Sequence, residues 1–491
     1  MLITELFRGV EAGPLPEGLD VSGIAVDSRD VKPGDVFFAF SGANTDGHLY
    51  IAEAVSRGAR AVVTGGASGM DGGRLPFIKT PDINAALAAC VNAFYKRPSA
   101  ALEVIGVTGT NGKTTTTYLL ESIWNAAGKK SGVTGTINYR IGGEIISGSV
   151  NTTPHALTLQ KLLALTEQRG ARTAIMEVSS HALALKRVDG ILFDCAVFTN
   201  LAQDHLDFHL TRGDYLAAKR KLFEMLSAPE NAKPGRLAVI NGDDPAGWSL
   251  KTALSPAVKP VFFGLGAARD WRAQDIRAGL DGTEFTLVSP QGRTQARLSI
   301  WGIYNILNAL AATACAAGRG IPMDAILNGL AALQRVPGRM EAVRAGQDFR
   351  VFVDFAHTES ALSAVLAALK KQSSGKIYTV FGCGGERDRT KRGPMGVAVC
   401  SVCARAFITS DNPRREPPDQ IFSDIEAGVK AAGLNNYTVI PDRREAVRQA
   451  LKSARKGDIV LLAGKGHERC QVLASGPVEY NDYDTALEAL K

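Results

Sequence analysis

The chain has 491 residues, 45% of them hydrophobic and 21% charged, with a formal charge of +7. That length exceeds what one hydrophobic core accommodates, so several domains are expected. The composition excludes a disordered or fibrous chain, and the lack of a long apolar run argues against membrane insertion. Lys and Arg are dispersed along the chain, so the positive balance favours anionic partners without pointing to nucleic acid. Met1 to Leu6 carries an acidic residue and no basic-then-apolar layout, which argues against a secretory signal. Seven cysteines, odd in number and scattered, point to a reducing cytoplasm. Cys400 and Cys403 form a lone C-x-x-C with no second pair, and no metal or redox role is expected of them.

Three blocks follow along the chain, at residues 1–97, 98–335 and 336–491. In the first, the turn Val31-Lys32-Pro33-Gly34-Asp35 precedes the apolar run 36–40, which reads as a buried strand. A helix over 51–60 and a strand over 61–63 come next, and Lys96-Arg97-Pro98-Ser99 makes a break. The second block opens with an apolar strand over 102–107, a glycine-rich turn and an amphipathic segment over 114–127, the start of a phosphate-binding α/β unit. Further strands are expected at 173–177, 195–199 and 237–240, with helices between them. The third block begins near Val336-Pro337-Gly338-Arg339, and its strands at 351–353, 377–381 and 459–463 alternate with helices. The fold class is therefore α/β, with largely parallel sheets and ligand sites at the carboxyl ends of strands. No internal repeat or low-complexity segment is present.

The strongest chemical signal is Gly106-Val107-Thr108-Gly109-Thr110-Asn111-Gly112-Lys113-Thr114. Backbone N–H groups of such a loop wrap phosphate oxygens, and the helix start adds a favourable field. Lys113 suits the β/γ-phosphates and the Thr114 hydroxyl suits Mg²⁺. The spacing is not standard, because Val107 holds the usual first glycine position and Gly109 interrupts the loop. A plain connecting turn is the alternative. Glu177 ends an apolar strand, where it can hold Mg²⁺ directly or through water, or be a simple surface carboxylate. Asp204, His205, Asp207 and His209 fall within six positions and are either metal ligands or a polar loop. Lys219 lies in a helical stretch, where a solvated face is the default expectation. In the third block, Asp411-Asn412-Pro413-Arg414 makes a firm turn after a strand over 406–409, and Arg414 can grip a carboxylate with two parallel hydrogen bonds. Gly382-Cys383-Gly384-Gly385-Glu386-Arg387-Asp388 and Gly464-Lys465-Gly466-His467-Glu468 are two further charged glycine-rich loops, and the three together suggest one ligand pocket.

Together with Asp27-Ser28-Arg29, Asn151-Thr152-Thr153-Pro154, Glu177-Val178-Ser179-Ser180-His181, Thr199-Asn200-Leu201, Gln203-Asp204-His205-Leu206-Asp207, Asn305, Asn308 and Asp354, these segments resemble the Mur ligase family over essentially the whole chain. Within it they are most similar to the branch that adds the third residue to UDP-N-acetylmuramoyl-L-alanyl-D-glutamate. The resemblance implies three domains: an N-terminal UDP-binding α/β domain, a central P-loop ATPase-like parallel-sheet domain and a C-terminal Rossmann-like domain. It implies that Val26, Ser28 and the Ala43-Asn44-Thr45 loop lie near the nucleotide of the UDP substrate, and that Thr152, Thr153, Ser179 and Arg187 hold its muramoyl-dipeptide portion. Gly109, Thr110, Asn111, Gly112, Lys113, Thr114 and Thr115 would bind ATP phosphates, while Asn305, Arg339 and Asp354 would frame the ATP nucleoside and phosphates. Thr114 and Glu177 would support one Mg²⁺ and His205 a second, and Lys219 matches a lysine that CO₂ converts to a carbamate. Lys113, Lys219, His205 and Glu177 would thus serve the chemistry. Asp411, Asn412, Pro413 and Arg414 imply meso-diaminopimelate as acceptor, with Arg387, Gly464 and Glu468 contacting the rest of it.

Three positions depart from the family pattern: Leu185 in place of a glutamine that contacts the sugar-peptide, Phe355 in place of a tyrosine and Glu359 in place of a proline. The reaction expected is acyl-phosphate formation followed by amine attack, with domain closure excluding water. Small-molecule substrates, no nucleic acid and a monomer are expected. The alternatives are a sister ligase that takes L-lysine or glutamylates folate, and a P-loop ATPase serving as a nucleic-acid-binding or regulatory module.

Overall fold

A computed structural model describes residues 1–41, 46–65, 75–202, 204–279 and 282–491. The chain forms two compact units. One comprises Met1–Gln274, Leu287–Thr294 and Leu307–Leu330; the other comprises Asp275–Thr286, Gln295–Ile306 and Ala331–Lys491.

The first unit begins with a four-stranded parallel sheet in the order β1 (Gly23–Ala25), β2 (Asp35–Ala39), β3 (Ala61–Gly65) and β4 (Phe77–Thr80). All five residues of β2 are buried, as expected of a strand covered on both faces. The helix Ile83–Phe94, capped by the Asp82 side chain, packs Leu87 and Val91 into the same core as Phe38 and Val63.

Its second sheet carries the phosphate-type loop. The strands are β5 (Glu103–Thr108), β6 (Ser131–Thr134), β7 (Asn138–Ile141), β8 (Glu144–Gly148), β9 (Thr173–Glu177), β10 (Cys195–Phe198), β11 (Leu237–Asn241) and β12 (Lys259–Gly264). They run in the order β12-β11-β10-β5-β9-β6-β7-β8; β13 (Trp271–Gly279), β14 (Gly282–Ser289) and β15 (Gly292–Leu298) follow along the chain, their residues divided between the two units. From β12 to β6 the pairing is parallel; β7 and β8 are antiparallel additions joined at Gly142 and Gly143, both at positive φ. Because β5 lies between β9 and β10, the strand order reverses beside it, and the carboxyl ends there open a crevice suited to a ligand. The helix Lys113–Ala126 buries Leu119, Leu120, Ile123 and Trp124, and Trp124 Nε1 donates to Thr173 Oγ1 at 2.9 Å. Arg140 on β7 and Glu121 on that helix form a buried ion pair at 2.6 Å.

The second unit holds a six-stranded sheet in the order β16 (Glu341–Val343), β17 (Arg350–Asp354), β21 (Ile459–Ala463), β18 (Ile377–Phe381), β19 (Arg405–Ile408) and β20 (Tyr437–Val439). Only β16 is antiparallel. The loops after β18, β19 and β21 therefore leave the same edge, as the charged glycine-rich segments suggested. A hairpin of β22 (Cys470–Leu473) and β23 (Gly476–Glu479) follows. Beneath the sheet, Arg443 donates through Nε and Nη2 to Asp482 at 2.9 and 2.7 Å, and both side chains are wholly buried.

All seven cysteines are free thiols; Cys470 is half-buried and the other six are buried. Cys400 and Cys403 sit in the core of the second unit, where burial pushes the Cys400 thiol up to about 11 and raises that of Cys403 further. Among the described residues no helix is long and apolar enough to cross a membrane.

Removing one partner of a buried ion pair strands the other charge. Asp482→Ala is therefore expected to cost about 3–5 kcal/mol, read as a lowered urea midpoint for the second unit, and an unchanged midpoint would show the pair to be dispensable.

Candidate active site

The loop between β5 and the helix Lys113–Ala126 is held from outside by the segment that follows β10. Thr110 N donates to Asn200 O at 2.9 Å, Asn111 N to Asn200 Oδ1 at 3.0 Å, and Thr199 Oγ1 to Asn111 O at 2.6 Å. Gly109 and Gly112 adopt φ of +148° and +88°. A Cβ on Gly109 would lie 1.9 Å from Thr199 Oγ1 and one on Gly112 2.3 Å from Asn308 Oδ1, so only glycine fits this path. Lys113 Nζ donates to the carbonyls of Gly109 and Thr110 at 2.8 and 2.9 Å, which keeps the ammonium over the loop. Thr115 is buried on the first helical turn.

Glu177, at the carboxyl end of β9, is 1% exposed rather than a surface carboxylate. Its Oε2 accepts from Thr114 Oγ1 at 3.0 Å and Thr136 Oγ1 at 2.9 Å, and its Oε1 accepts from Thr136 N at 2.8 Å. Thr136 Oγ1 also lies 3.1 Å from Thr152 Oγ1. On the other side, Thr153 Oγ1 donates to Glu177 O at 2.8 Å and accepts from Ser179 N at 3.0 Å. Arg187 Nη1 donates to Thr153 O at 3.0 Å. Thr114, Thr152, Thr153, Ser179, Arg187 and Glu177 thus form one cluster beside the loop. Burial holds the half-buried Arg187 guanidinium below its usual range, and burial together with Arg187 lowers His155 to about 4. Among the described residues Arg187 has no carboxylate partner.

Lys219 corrects the expectation of a solvated face. On the helix Arg212–Ser227 the buried side chains are Tyr215, Ala218, Lys219, Leu222, Phe223 and Leu226, so the lysine lies inside an apolar stripe. Its residue exposure is 1%, and Nζ lies 4.1 Å from the centroid of the Tyr215 ring. Burial, and then the charge of Lys113, hold its ammonium well below the usual lysine range, against a smaller opposite pull from Asp204.

The Asp/His cluster after β10 is divided by burial. His205 is exposed, has φ of +56° and pairs with Asp204 at 3.5 Å, whereas His209 is buried against the Tyr215 ring, with 5.2 Å between centroids. The His181 ring lies 4.7 Å from that of His205. Gln203 and the side chain of Asp207 lie outside the described residues. Among the described residues no group of three or more His, Cys, Asp or Glu gathers as a metal site. A hydroxyl and a single carboxylate, Thr114 and Glu177, fit a hard cation that keeps most of its waters.

In the first sheet Ser28 Oγ donates to Glu53 Oε2 at 2.7 Å, and Val26 is half-buried nearby in sequence. Ala43, Asn44 and Thr45 lie outside the described residues.

In the second unit, Asp354 accepts from Met340 N and Ala356 N at 2.7 and 2.8 Å, and its burial raises its carboxyl pKa. Arg339 lies 4.9 Å over the Phe355 ring, and Asn305 is buried with Nδ2 donating to Trp301 O at 2.6 Å. After β19, Arg414 takes φ of +54° and donates from Nη1 to Gly385 O at 2.8 Å and Asn412 O at 3.3 Å. No carboxylate among the described residues pairs with it. A Cβ on Gly384 would stand 3.2 Å from Arg414 Nη1 and 3.6 Å from Arg387 Cγ, so both arginines flank that glycine. Asn412 Nδ2 donates to Glu468 Oε2 at 2.9 Å. Asp411 is buried, and desolvation raises its pKa against the opposing charges of Arg443 and Lys465.

Thr136, Tyr215 and Lys465 are absent from the residues the sequence suggested. A glycine ending the short run Gly132-Val133-Thr134 signals the first: a Cβ on Gly135 would stand 2.2 Å from Glu177 Oε1. The apolar stripe of its helix signals Tyr215, and Lys465 stands within a glycine-rich loop already noted for its charge.

Family models match three stretches: a Mur ligase family catalytic domain at 20–95, a Mur ligase middle domain at 107–316 and a Mur ligase glutamate ligase domain at 338–466. The chain belongs to the Mur ligase family. It is 41% identical over 491 residues to the UDP-N-acetylmuramoyl-L-alanyl-D-glutamate–2,6-diaminopimelate ligase of Syntrophomonas wolfei subsp. wolfei, covering 100% of this chain and 98% of that one. The Geobacillus thermodenitrificans protein of the same name is 41% identical over 472 residues, 96% of this chain and 95% of its own. A solved structure of that name is 31% identical, covers 100% of this chain and 98% of its own, and superposes with a TM-score of 0.69.

A lysine whose folded pKa is depressed binds fewer protons folded than unfolded, so it makes stability rise with pH between the depressed value and the ordinary 10.5. In bicarbonate-free buffer Lys219→Met is expected to raise the unfolding midpoint at neutral pH, with the gain shrinking as pH approaches 10.5. A gain that does not vary with pH would assign it to packing alone.

Proposed function

We propose that this protein couples ATP cleavage to amide-bond formation, adding meso-2,6-diaminopimelate to UDP-N-acetylmuramoyl-L-alanyl-D-glutamate during synthesis of a peptidoglycan precursor. Its substrates are small anionic molecules, in keeping with the positive charge of the chain. The observation that carries the choice of acceptor is Arg414, a guanidinium seated on two carbonyls with no carboxylate paired to it among the described residues. Diaminopimelate is lysine with an additional carboxylate at its side-chain end, and that anion matches the guanidinium.

The D-glutamyl γ-carboxylate attacks the γ-phosphorus of ATP in line, displacing ADP and leaving an acyl phosphate. The acceptor's free amine then attacks the acyl carbon; the tetrahedral adduct expels phosphate and loses a proton to leave the amide. The loop from Gly109 to Thr115 cradles the phosphates through the N–H groups that Asn200 does not take, and Lys113 disperses their charge. Asn305, Arg339 and Asp354 serve the nucleotide, while Thr152, Thr153, Ser179 and Arg187 orient the dipeptide end, with Arg187 facing its carboxylates. Val26, Ser28 and the 43–45 loop serve the uridine end.

Magnesium, as two ions, would neutralise charge at the phosphates; Thr114 and Glu177 would hold one ion, and His205 with Lys219 as a carbamate would hold the other. The depressed pKa of Lys219 supports that modification. The ammonium first gives up a proton; the neutral amine then adds to CO₂ with loss of a second, which turns a buried cation into an anion.

Phosphate release from ATP, measured with the UDP-dipeptide and either meso-diaminopimelate or L-lysine, tests the reading. Release with diaminopimelate alone and a tripeptide product by mass are expected, and Arg414→Ala should lower kcat/KM for diaminopimelate on the order of 100-fold. Release with lysine instead would keep the ligase and remove the role of Arg414; release with neither would remove the reading.

A further inference from the structure

Lys465 is wholly buried, yet its ammonium faces the acceptor loops of the second unit. Nζ donates to Asn412 Oδ1 at 2.9 Å, to Cys470 O at 2.6 Å and to Glu468 Oε2. An ammonium has three hydrogens, so none is left for a ligand. The same contacts settle which way the Asn412 amide points. Its inner atom faces Lys465 Nζ and also Val472 N at 2.8 Å, and both are obligate donors, so that atom is the oxygen. The amide nitrogen is then turned to Glu468 Oε2, with one of its two hydrogens spent there. Glu468 Oε2 accepts from both Lys465 and Asn412, while Oε1 has no hydrogen-bond donor among the described residues and the side chain is 33% exposed.

The pocket is thereby sorted into donors and acceptors. Asn412 Nδ2 keeps one hydrogen beyond its bond to Glu468, Arg414 has no carboxylate partner among the described residues, and Glu468 Oε1 is an acceptor. A carbon bearing both a carboxylate and an ammonium satisfies both kinds of group; an ammonium alone leaves the donors unpaired, which is costly in a buried site. We propose that Lys465 is the positioning residue that sets acceptor specificity, by locking the Asn412 amide and the Glu468 carboxylate in the orientation that reads a zwitterionic side-chain end. The inference rests on the diamino-acid acceptor proposed above. Without the buried ammonium, Asn412 Oδ1 keeps only the Val472 N–H to hold its orientation, Glu468 loses its anchor, and the pocket no longer separates diaminopimelate from lysine.

The test compares steady-state kinetics of the full-length wild type, Lys465→Met, Glu468→Gln, their double mutant and Asn412→Asp, with meso-diaminopimelate and L-lysine as acceptors. Lys465→Met is expected to raise KM for diaminopimelate on the order of 100-fold, to leave KM for ATP and the UDP-dipeptide unchanged, and to shrink the diaminopimelate-to-lysine preference by a similar factor. Adding Glu468→Gln to it should cost little more, because the two residues act as a unit. Asn412→Asp, which retains Lys465 and turns the donor into an acceptor, should also lose the preference, and it decides the matter if Lys465→Met does not fold. A folded Lys465→Met with unchanged preference, additive effects of the pair, or an Asn412→Asp variant that still prefers diaminopimelate would overturn the role of Lys465. A wild type that does not use diaminopimelate would overturn the functional reading itself, and this inference with it.

Discussion

At the end of β9 a buried carboxylate accepts three hydrogen bonds from two different segments of chain, and the arrangement of the first unit depends on it. Thr114 comes from the helix that opens the phosphate-type loop, and Thr136 from the turn between β6 and β7. The carbonyl of Glu177 itself takes Thr153 Oγ1, which adds a third segment. A carboxylate this deep is tolerated only when its oxygens are satisfied. The loop, the β6–β7 turn and the 152–153 segment are consequently fixed relative to one another by a single residue, through its side chain and its carbonyl, and a cation that enters finds its oxygens already placed.

The two half-buried guanidiniums of Arg187 and Arg414 share one design. Each is seated on backbone carbonyls, Thr153 O in one unit and the carbonyls of Gly385 and Asn412 in the other, with no protein carboxylate beside it among the described residues. Carbonyls orient a guanidinium without neutralising it, so its charge remains available to an anionic ligand. Elsewhere the protein neutralises its buried arginines fully, as Arg140 with Glu121, Arg392 with Glu416 and Asp424, and Arg443 with Asp482 show. The difference separates arginines that hold the fold from those that can serve a ligand.

Much of this was legible in the sequence. Strands at 173–177, 377–381 and 459–463 appear with the expected bounds, because an uninterrupted apolar run bounded by turns has few other solutions. The glycine-rich loop after β5 was legible for the same reason, since its glycines are required by backbone path and close approach. Residue type alone gives Lys219 a solvated face and only the resemblance set it apart, although its position in a stripe with Tyr215, Leu222 and Phe223 already placed it inward. The β7–β8 hairpin passed unread because its strands are four and five residues long and β8 is largely exposed, which weakens any periodic signal. Pairings such as Arg443 with Asp482, or Lys465 with Asn412, were out of reach, because partners 39 and 53 residues apart are joined only by the topology of the sheet.

The uneven burial of the seven sulfurs gives the chain a built-in attachment point. Six thiols are enclosed in the cores, and the one at Cys470 is half-buried at the start of β22. Reagent access favours that position, so a maleimide dye marks Cys470 selectively without deletion of any native cysteine. The carbonyl of the same residue receives a hydrogen bond from Lys465, which makes the label a fluorescent reporter on the floor of the loop region after β21.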